Sequence, residues 1–338
     1  METVLVTGGC GFIGSHTDVE LLEKGYQVVV IDNLINSSPV ALKRVEEITG
    51  KKVKFYPVDL LDEAKVEQVF EENSIDYVIH FAARKAVGES VGKPILYYEN
   101  NLQGTLVLLK AMQRHHVRNM IFSSSATVYG KPERLPLTED CRLSVTNPYG
   151  ATKLMTERIL EDVTVADPSF NAILLRYFNP IGAHPSGLIG EYPHGIPANL
   201  MPYISEVALR KLDHLTVFGD DYPTPDGTCV RDYIHVVDIA RGHIAAMEHC
   251  QKPGVHIYNL GTGKGTSVLE LVSAFERVTG KKVPYVIGPR RAGDVPSCYA
   301  SCEKANRELG WKATHSLDDM MRDQWNWETK NPNGYPAE

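Results

Sequence analysis

An apolar, β-branched run that halts at clustered glycines and resumes as a helical pattern, VLVTGGCGFIGSHTDVELLEKG from Val4 to Gly25, constrains this chain more than any other segment. Its glycines at 8, 9, 11 and 14 satisfy both the GxGxxG and the GxxGxxG spacing. A turn of that kind brings bare backbone and a helix N-terminus together, which suits the pyrophosphate of a dinucleotide. Val19, Leu21 and Leu22 give the helix a core face, and Gly25 suits a left-handed C-terminal cap. Asp32 ends the next apolar run, 18 residues beyond Gly14. A carboxylate there accepts hydrogen bonds from a ribose diol and repels an added 2′-phosphate, which predicts NAD rather than NADP.

The same rhythm continues through the first half. The runs VLVTGG, QVVVIDN, VKFYPVD, YVIHFAA, NMIFSSSA and AILLRYFN alternate with amphipathic stretches, predicting an α/β fold around a Rossmann-type, doubly wound parallel sheet. Asp59 and the stretch from Phe81 to Lys85 follow the third and fourth runs, at the carboxyl ends of strands where open α/β sheets bind ligands. After Phe178 the texture changes: NPIGAHPSGLIGEYPHGIPANLMPY is dense in Gly and Pro and sets a boundary near residue 180. Residues 1–180 are expected to form the dinucleotide-binding domain and 181–338 a smaller, mixed α/β substrate domain. Helices are expected in the latter around 200–211, 237–250, 267–279 and 316–328, with short strands at LTVFG and IYNLG.

The chain has 338 residues, enough for about two domains. Its 43% apolar and 23% charged residues fit a globular protein rather than a disordered one. With 35 Lys and Arg against 42 Asp and Glu the net charge is -7, which disfavours nucleic acid and anionic membranes as partners. No apolar run approaches the roughly 20 residues that span a bilayer, and the N-terminus lacks a cleavable export pattern. Six cysteines without a CxxC pair argue for a reduced, cytoplasmic setting. The twelve histidines, His115, His116 and His235 among them, form no HExxH pattern, so no metal is expected. The serines at 123–125 lack a GxSxG elbow, against a serine hydrolase. Trp311, Trp325 and Trp327 read as packing anchors.

The fifth apolar run ends in Ser123, Ser124 and Ser125, and NPYGATK then places Tyr149 and Lys153 four residues apart. On a helix both side chains share a face. A tyrosine is a poor base near neutrality because its pKa is about 10, but a neighbouring ammonium and an oxidised nicotinamide both favour the phenolate. Tyr149 can then take a proton from a sugar hydroxyl, with Ser125 as a relay.

Together TGGCGFIGSH, AVGESV, FSSSATVYG, YGATK, LLRYFNP, GAHPSG, LMPY, VRDYIHV, YNLGTG and RRAGD resemble the extended short-chain dehydrogenase/reductase family and, within it, the UDP-galactose 4-epimerases, over essentially the whole chain. The resemblance implies reversible hydride transfer between a UDP-hexose and bound NAD through a 4-keto sugar. It implies NAD contacts at Gly8, Gly11, Phe12, Ile13, Gly14, Asp32, Asn33, Asp59, Leu60, Phe81, Lys85, Asn100, Tyr149, Lys153 and Phe178. Catalysis falls to Ser125, Tyr149 and Lys153. Substrate contacts fall to Ser125, Tyr149, Asn179, Asn199, Leu200, Phe218, Arg231, Arg291, Asp294 and Cys298. A homodimer is the family expectation. Departures from the family pattern are Phe12, Ala83, Arg84, Ala198 and Cys229, of which Arg84, a second cation beside Lys85, bears on cofactor affinity.

Two other functions compete. A related sugar-nucleotide dehydratase or decarboxylase would carry an acidic pair after the strand-end serine, where this chain has Ala126 and Thr127. A non-catalytic NAD-sensing regulator would have little use for Ser125, Tyr149 and Lys153 together. Cys298 lies four residues past Asp294, where relatives carry either a bulky Tyr or a small residue. A Cys leaves room at carbon-2 for an N-acetyl group, which extends the expected substrates to UDP-N-acetylglucosamine and UDP-N-acetylgalactosamine.

Overall fold

The computed structural model describes residues 1–192, 197, 199–291 and 293–336, so the departure at Ala198 lies outside the described residues. The first six apolar runs become strands β1 (Thr3–Thr7), β2 (Gln27–Ile31), β3 (Lys54–Tyr56), β4 (Tyr77–His80), β5 (Asn119–Ser125) and β6 (Asn171–Tyr177). Between them lie α1 (Phe12–Lys24), α2 (Val40–Thr49), α3 (Glu63–Glu72), α4 (Val87–Gly92), α5 (Pro94–Tyr98), α6 (Gly104–Arg114) and α7 (Pro148–Ala166). Beyond them follow β7 (Asn179–Ile181), α8 (Leu200–Ala208), β8 (Leu215–Phe218), β9 (Val230–Arg231), β10 (Tyr233–His235), α9 (Val236–His249) and β11 (Gly254–Leu260). The chain ends with β12 (Thr266–Ser267), α10 (Val268–Thr279), β13 (Tyr285–Gly288), β14 (Ser297–Cys298), α11 (Glu303–Leu309) and α12 (Leu317–Lys330).

Seven strands form the central sheet in the order β11-β6-β5-β4-β1-β2-β3, every pair parallel. Alternate side chains enter opposite cores, as the period of two requires. Val4, Val6, Val28, Val30, Ile79, Ile121 and Ile173 pack on one face, and Leu5, Val29, Ile31, Val78, Met120, Phe122 and Ala172 on the other. A third core joins Met201, Ile204, Leu215, Val217, Leu271, Phe275 and Met320 in the C-terminal part.

One assignment needs correction. The strand IYNLG, expected within a separate C-terminal domain, is β11 and pairs with β6 in the central sheet, Tyr258 opposite Leu175. The preceding helix, α9, is its crossover; it lies against α1, and Arg241 Nε pairs with Glu20 Oε1 at 3.0 Å. The chain therefore leaves the nucleotide-type layer near residue 180 and returns to it at residue 236, a step that only long-range strand pairing reveals.

Local chemistry sets the ends of the elements that matter for the site. Asn147 caps α7 by accepting from Gly150 N at 2.8 Å, and Pro148 occupies the first helical position, where its missing N–H costs nothing. Gly25, at φ 95°, closes α1 as expected. Behind α7 lies a sealed polar network. Arg176 of β6 grips Glu157 of α7 through Nε at 2.9 Å and Nη2 at 2.6 Å, with 1% of either side chain exposed. Ser124 donates to the same carboxylate, and Arg176 Nη1 also donates to the Tyr129 phenol oxygen at 3.2 Å.

Replacing Arg176 by Leu leaves the Glu157 carboxylate buried and uncompensated, with an expected cost of about 3–5 kcal/mol. Urea unfolding of the two proteins measures it. A loss below about 1 kcal/mol would show that α7 is held by its apolar contacts alone.

Candidate active site

The glycine turn after β1 is built for close approach. Gly8 sits at φ +76°, and a Cβ there would meet Ala82 N at 2.8 Å. At Gly14 a Cβ would lie 2.3 Å from the Gly8 carbonyl oxygen, so the first turn of α1 presses onto the loop with only hydrogen between them. Gly11 caps α1 with no side-chain bond, which leaves the first N–H groups free to meet an anion. Phe12 and Ile13 open the helix, Phe12 edge-on to His16 at 5.3 Å.

Asp32 follows β2 and accepts from Cys10 N at 3.1 Å, Leu34 N at 2.9 Å and Ser37 Oγ at 2.7 Å. Burial raises its pKa and these donors pull it back, which keeps a carboxylate with spare lone pairs at the turn. Asn33 Nδ2 donates to Asp59 Oδ2 at 2.8 Å, tying the second and third strand ends together, while Leu60 is buried beside them. Phe81 and Ala82 both donate their N–H to Thr7 O at 3.0 Å, which docks the segment after β4 onto the turn. These residues form a cradle of bare backbone, helix N-terminus and acidic strand end that fits an adenine dinucleotide without a 2′-phosphate.

Along the same edge of the sheet, two strands from β1, lies the end of β5. Ser125 caps the short 3-10 turn Ala126–Tyr129 by accepting from Thr127 N, and its hydroxyl neighbours the Tyr149 phenol. Burial pushes Tyr149 up to about 12, and Ser125 opposes that push. Lys153 Nζ donates to Ser123 O at 2.6 Å and lies 5.9 Å from the Tyr149 ring. Burial pulls Lys153 down to about 7, and Glu157, one helical turn on, pulls it back up. Tyr177 closes the floor with a short hydrogen bond between its phenol and Ser123 Oγ.

Asn100 lies in the π-turn Glu99–Gln103 and donates to Asn101 Oδ1 at 3.0 Å. Asn101 was not singled out from the sequence, yet it accepts from Arg84 N at 2.8 Å and donates to Thr152 Oγ1 at 3.0 Å, bridging the loop after β4 to α7. The Arg84 guanidinium turns toward Glu89, 4.0 Å away. Phe178 is buried in a small core with Val128, Tyr129 and Ala300.

Of the expected substrate residues, Asn179, Arg231 and Cys298 lie on the short strands β7, β9 and β14, with Arg291 and Asp294 beside Arg231. Asn179 on β7 donates its N–H to Asp232 O, and Arg231 on β9 stands opposite Cys298 on β14 in register. Asp294 accepts from Arg291 at 3.0 and 3.1 Å and lies 3.7 Å from Arg231 Nη2. Phe218 exposes 44% of its surface, with the Arg291 guanidinium 5.8 Å from its ring. An exposed aromatic face beside two arginines can take a base and a diphosphate. Cys298 packs against the core that holds Val128 and Phe178, whereas the Tyr299 ring turns to Gly265. Cys229 is buried beside Tyr222, and Leu200 opens α8. Asn199 and Lys85 meet elsewhere, at Glu191, which the sequence reading also passed over.

Comparison with known proteins matches this arrangement. Residues 4–261 fit the family described as NAD dependent epimerase/dehydratase. The chain is 60% identical to the UDP-glucose 4-epimerase of Bacillus subtilis over 335 residues, 99% of each chain. It superimposes with a TM-score of 0.96 on the UDP-glucose 4-epimerase of Bifidobacterium longum in complex with NAD+ and UDP, at 62% identity, covering 98% of this chain and 100% of that one. It superimposes equally, at 0.96 and 48% identity over 98% and 99% of the two chains, on the Stenotrophomonas maltophila enzyme with bound NAD and formylated UDP-arabinopyranose. With a matched span that runs from β1 through β11 and relatives aligned almost end to end, the chain belongs to the NAD dependent epimerase/dehydratase family, within the extended short-chain dehydrogenases/reductases.

Proposed function

We propose that the chain is a UDP-glucose 4-epimerase that interconverts UDP-glucose and UDP-galactose with NAD held as a resident cofactor. The observation that carries this reading is the placement of Ser125, Tyr149 and Lys153 on the same sheet edge as the glycine turn, in a chain so similar to an epimerase crystallised with NAD+ and UDP. Cofactor contacts are assigned to the turn, Asp32, Asn33, Asp59, Leu60, Phe81, Lys85, Asn100 and Phe178. The UDP-sugar is assigned to the wall from Asn179 to Cys298, with the boundary near residue 180 crossed by α9 and β11.

NAD held by the glycine turn and Asp32 would supply a reversible hydride acceptor for carbon-4 of the sugar and, on its oxidised ring, a positive charge that would favour a nearby phenolate. Tyr149 takes the proton of the 4-hydroxyl, with Ser125 holding the same oxygen. Buried Lys153, fixed on the Ser123 carbonyl, keeps a cationic donor on the Tyr149 side of α7. The 4-keto sugar must then present its other face, so the protein grips the UDP end and leaves the hexose free to turn. Arg231 and Arg291 supply that grip through charge-assisted bonds to the diphosphate.

Elimination chemistry is disfavoured because Ala126 and Thr127 provide no acid–base pair beside Ser125. A cytoplasmic setting is supported by six free cysteines, and a homodimer by the exposed apolar side chains of Val87, Val91 and Ile95 on α4 and α5. Cys298 extends the substrate range to N-acetylated UDP-hexoses, because the side chain beside Arg231 is small and Tyr299 faces away from it.

Purified protein incubated with UDP-galactose and no added NAD is expected to yield UDP-glucose, and Tyr149→Phe to lower kcat at least about 100-fold with NAD still bound. Near-normal turnover of that variant, or no product from the wild type after reconstitution with NAD, refutes the reading. Cys298→Tyr is expected to cut kcat/KM for UDP-N-acetylgalactosamine by about tenfold or more while UDP-galactose is turned over nearly as before. Equal losses on both sugars, or a wild type inactive on the N-acetylated one, remove Cys298 from the argument.

A further inference from the structure

Lys85 follows β4 and Asn199 caps α8, yet both donate to one oxygen of one carboxylate. Glu191 Oε1 accepts from Lys85 Nζ at 3.0 Å and from Asn199 Nδ2 at 2.9 Å. The Glu191 side chain is 5% exposed, so the charge is desolvated and both bonds to it are charge-assisted. Asn199 makes no side-chain cap for its own helix, which leaves its amide committed to Glu191.

The backbone under Glu191 is fixed from behind. Trp327 of α12, 1% exposed, donates its indole N–H to Glu191 O at 3.3 Å. Gly190 lies so close to the same ring that a Cβ would fall 2.5 Å from it. The Arg44 guanidinium stands 5.7 Å from the Trp327 ring and donates to Leu188 O at 2.7 Å, which ties this segment to α2 as well. A carboxylate on so firm a mount can orient two mobile donors.

We propose that Glu191 is a positioning residue that couples sugar-nucleotide binding to cofactor retention, by holding Lys85 on the cofactor side and Asn199 on the nucleotide side at the same time. The inference rests on the epimerase reading for what each donor faces. When a sugar nucleotide engages Asn199, the shared oxygen is left to Lys85, and the ammonium is held more firmly where it meets the cofactor. Linkage makes the effect reciprocal: NAD on Lys85 then favours nucleotide on Asn199 by the same factor.

The test is exchange of bound NAD for isotopically labelled NAD in the purified holoenzyme, with and without saturating UDP. UDP is expected to slow exchange in the wild type at least about fivefold. In Glu191→Ala the slowing shrinks to under about twofold even though UDP still binds, and KM for UDP-galactose rises by more than kcat falls. Glu191→Gln, which keeps an acceptor for Asn199 and loses the charge facing Lys85, guards against misfolding of the alanine variant; it is expected to exchange NAD faster than wild type, again with little response to UDP. Equal slowing by UDP in wild type and both variants overturns the proposal, as does a wild type whose NAD exchange ignores UDP. A wild type without bound NAD or epimerase activity would instead sink the functional reading itself, a result the coupling measurement cannot mimic.

Discussion

Arg176 and Glu157 meet as a bidentate pair at 2.6 and 2.9 Å with almost no water contact, and charges in that setting are tolerated only while their hydrogen bonds are complete. Completing them draws in four further segments. Ser124 of β5 donates to Glu157, and Tyr129 of the 3-10 turn accepts from Arg176 and donates to Asn259 of β11 at 2.6 Å. Asn259 Nδ2 in turn donates to Leu137 O at 2.9 Å. The strand carrying Ser123 to Ser125 and the helix carrying Tyr149 and Lys153 are therefore referenced to one buried contact, which fixes their relative height to the precision that proton transfer demands.

That arrangement has an electrostatic consequence. Burial acts in opposite directions on the two titrating groups, lifting the Tyr149 phenol to about 12 and lowering the Lys153 ammonium to about 7. Without a further positive charge, rising pH strips Lys153 before it reaches Tyr149, and neither group is then ionised near pH 9. Glu157 counters this by holding up the Lys153 pKa. A fixed cation close to the phenol favours the phenolate. The oxidised nicotinamide ring of the proposed resident NAD would bring such a charge.

What could be read from the sequence is what short-range rules encode. The glycine turn, the six alternating runs, the left-handed cap at Gly25, and the shared face of Tyr149 and Lys153 each depend on neighbours within a few residues. The resemblance added the substrate residues, of which Arg231 and Cys298 face each other in register and Arg291 and Asp294 are joined by hydrogen bonds, whereas Asn199 turns to Glu191. By contrast the place of β11 beside β6 is not written locally, because residues 178–253 separate the two strands and the pairing depends on which helix faces α1. Glu157, Asn101 and Glu191 were equally invisible. A buried glutamate and a surface glutamate look alike in a chain; what distinguishes Glu191 is Trp327, 136 residues away, holding its carbonyl.

The two ends of the proposed substrate wall differ in kind, and the difference follows from what each must do. Its nucleotide end is made of charge and aromatic surface on well-anchored backbone: Arg231 donates to Val230 O at 2.8 Å and Val295 O at 2.9 Å before it meets any ligand, and Asp294 holds Arg291. Groups pre-positioned in this way lose little freedom on binding. Toward Ser125 the wall carries Asn179 and Cys298, short side chains that fill less of the cleft, while the one large ring nearby, Tyr299, is turned onto Gly265. A rigid grip at the hexose would stabilise one face of the keto sugar against the hydride donor and forbid the other, so binding energy spent there would slow epimerisation. Placing it at the diphosphate leaves both faces reachable from a single tyrosine.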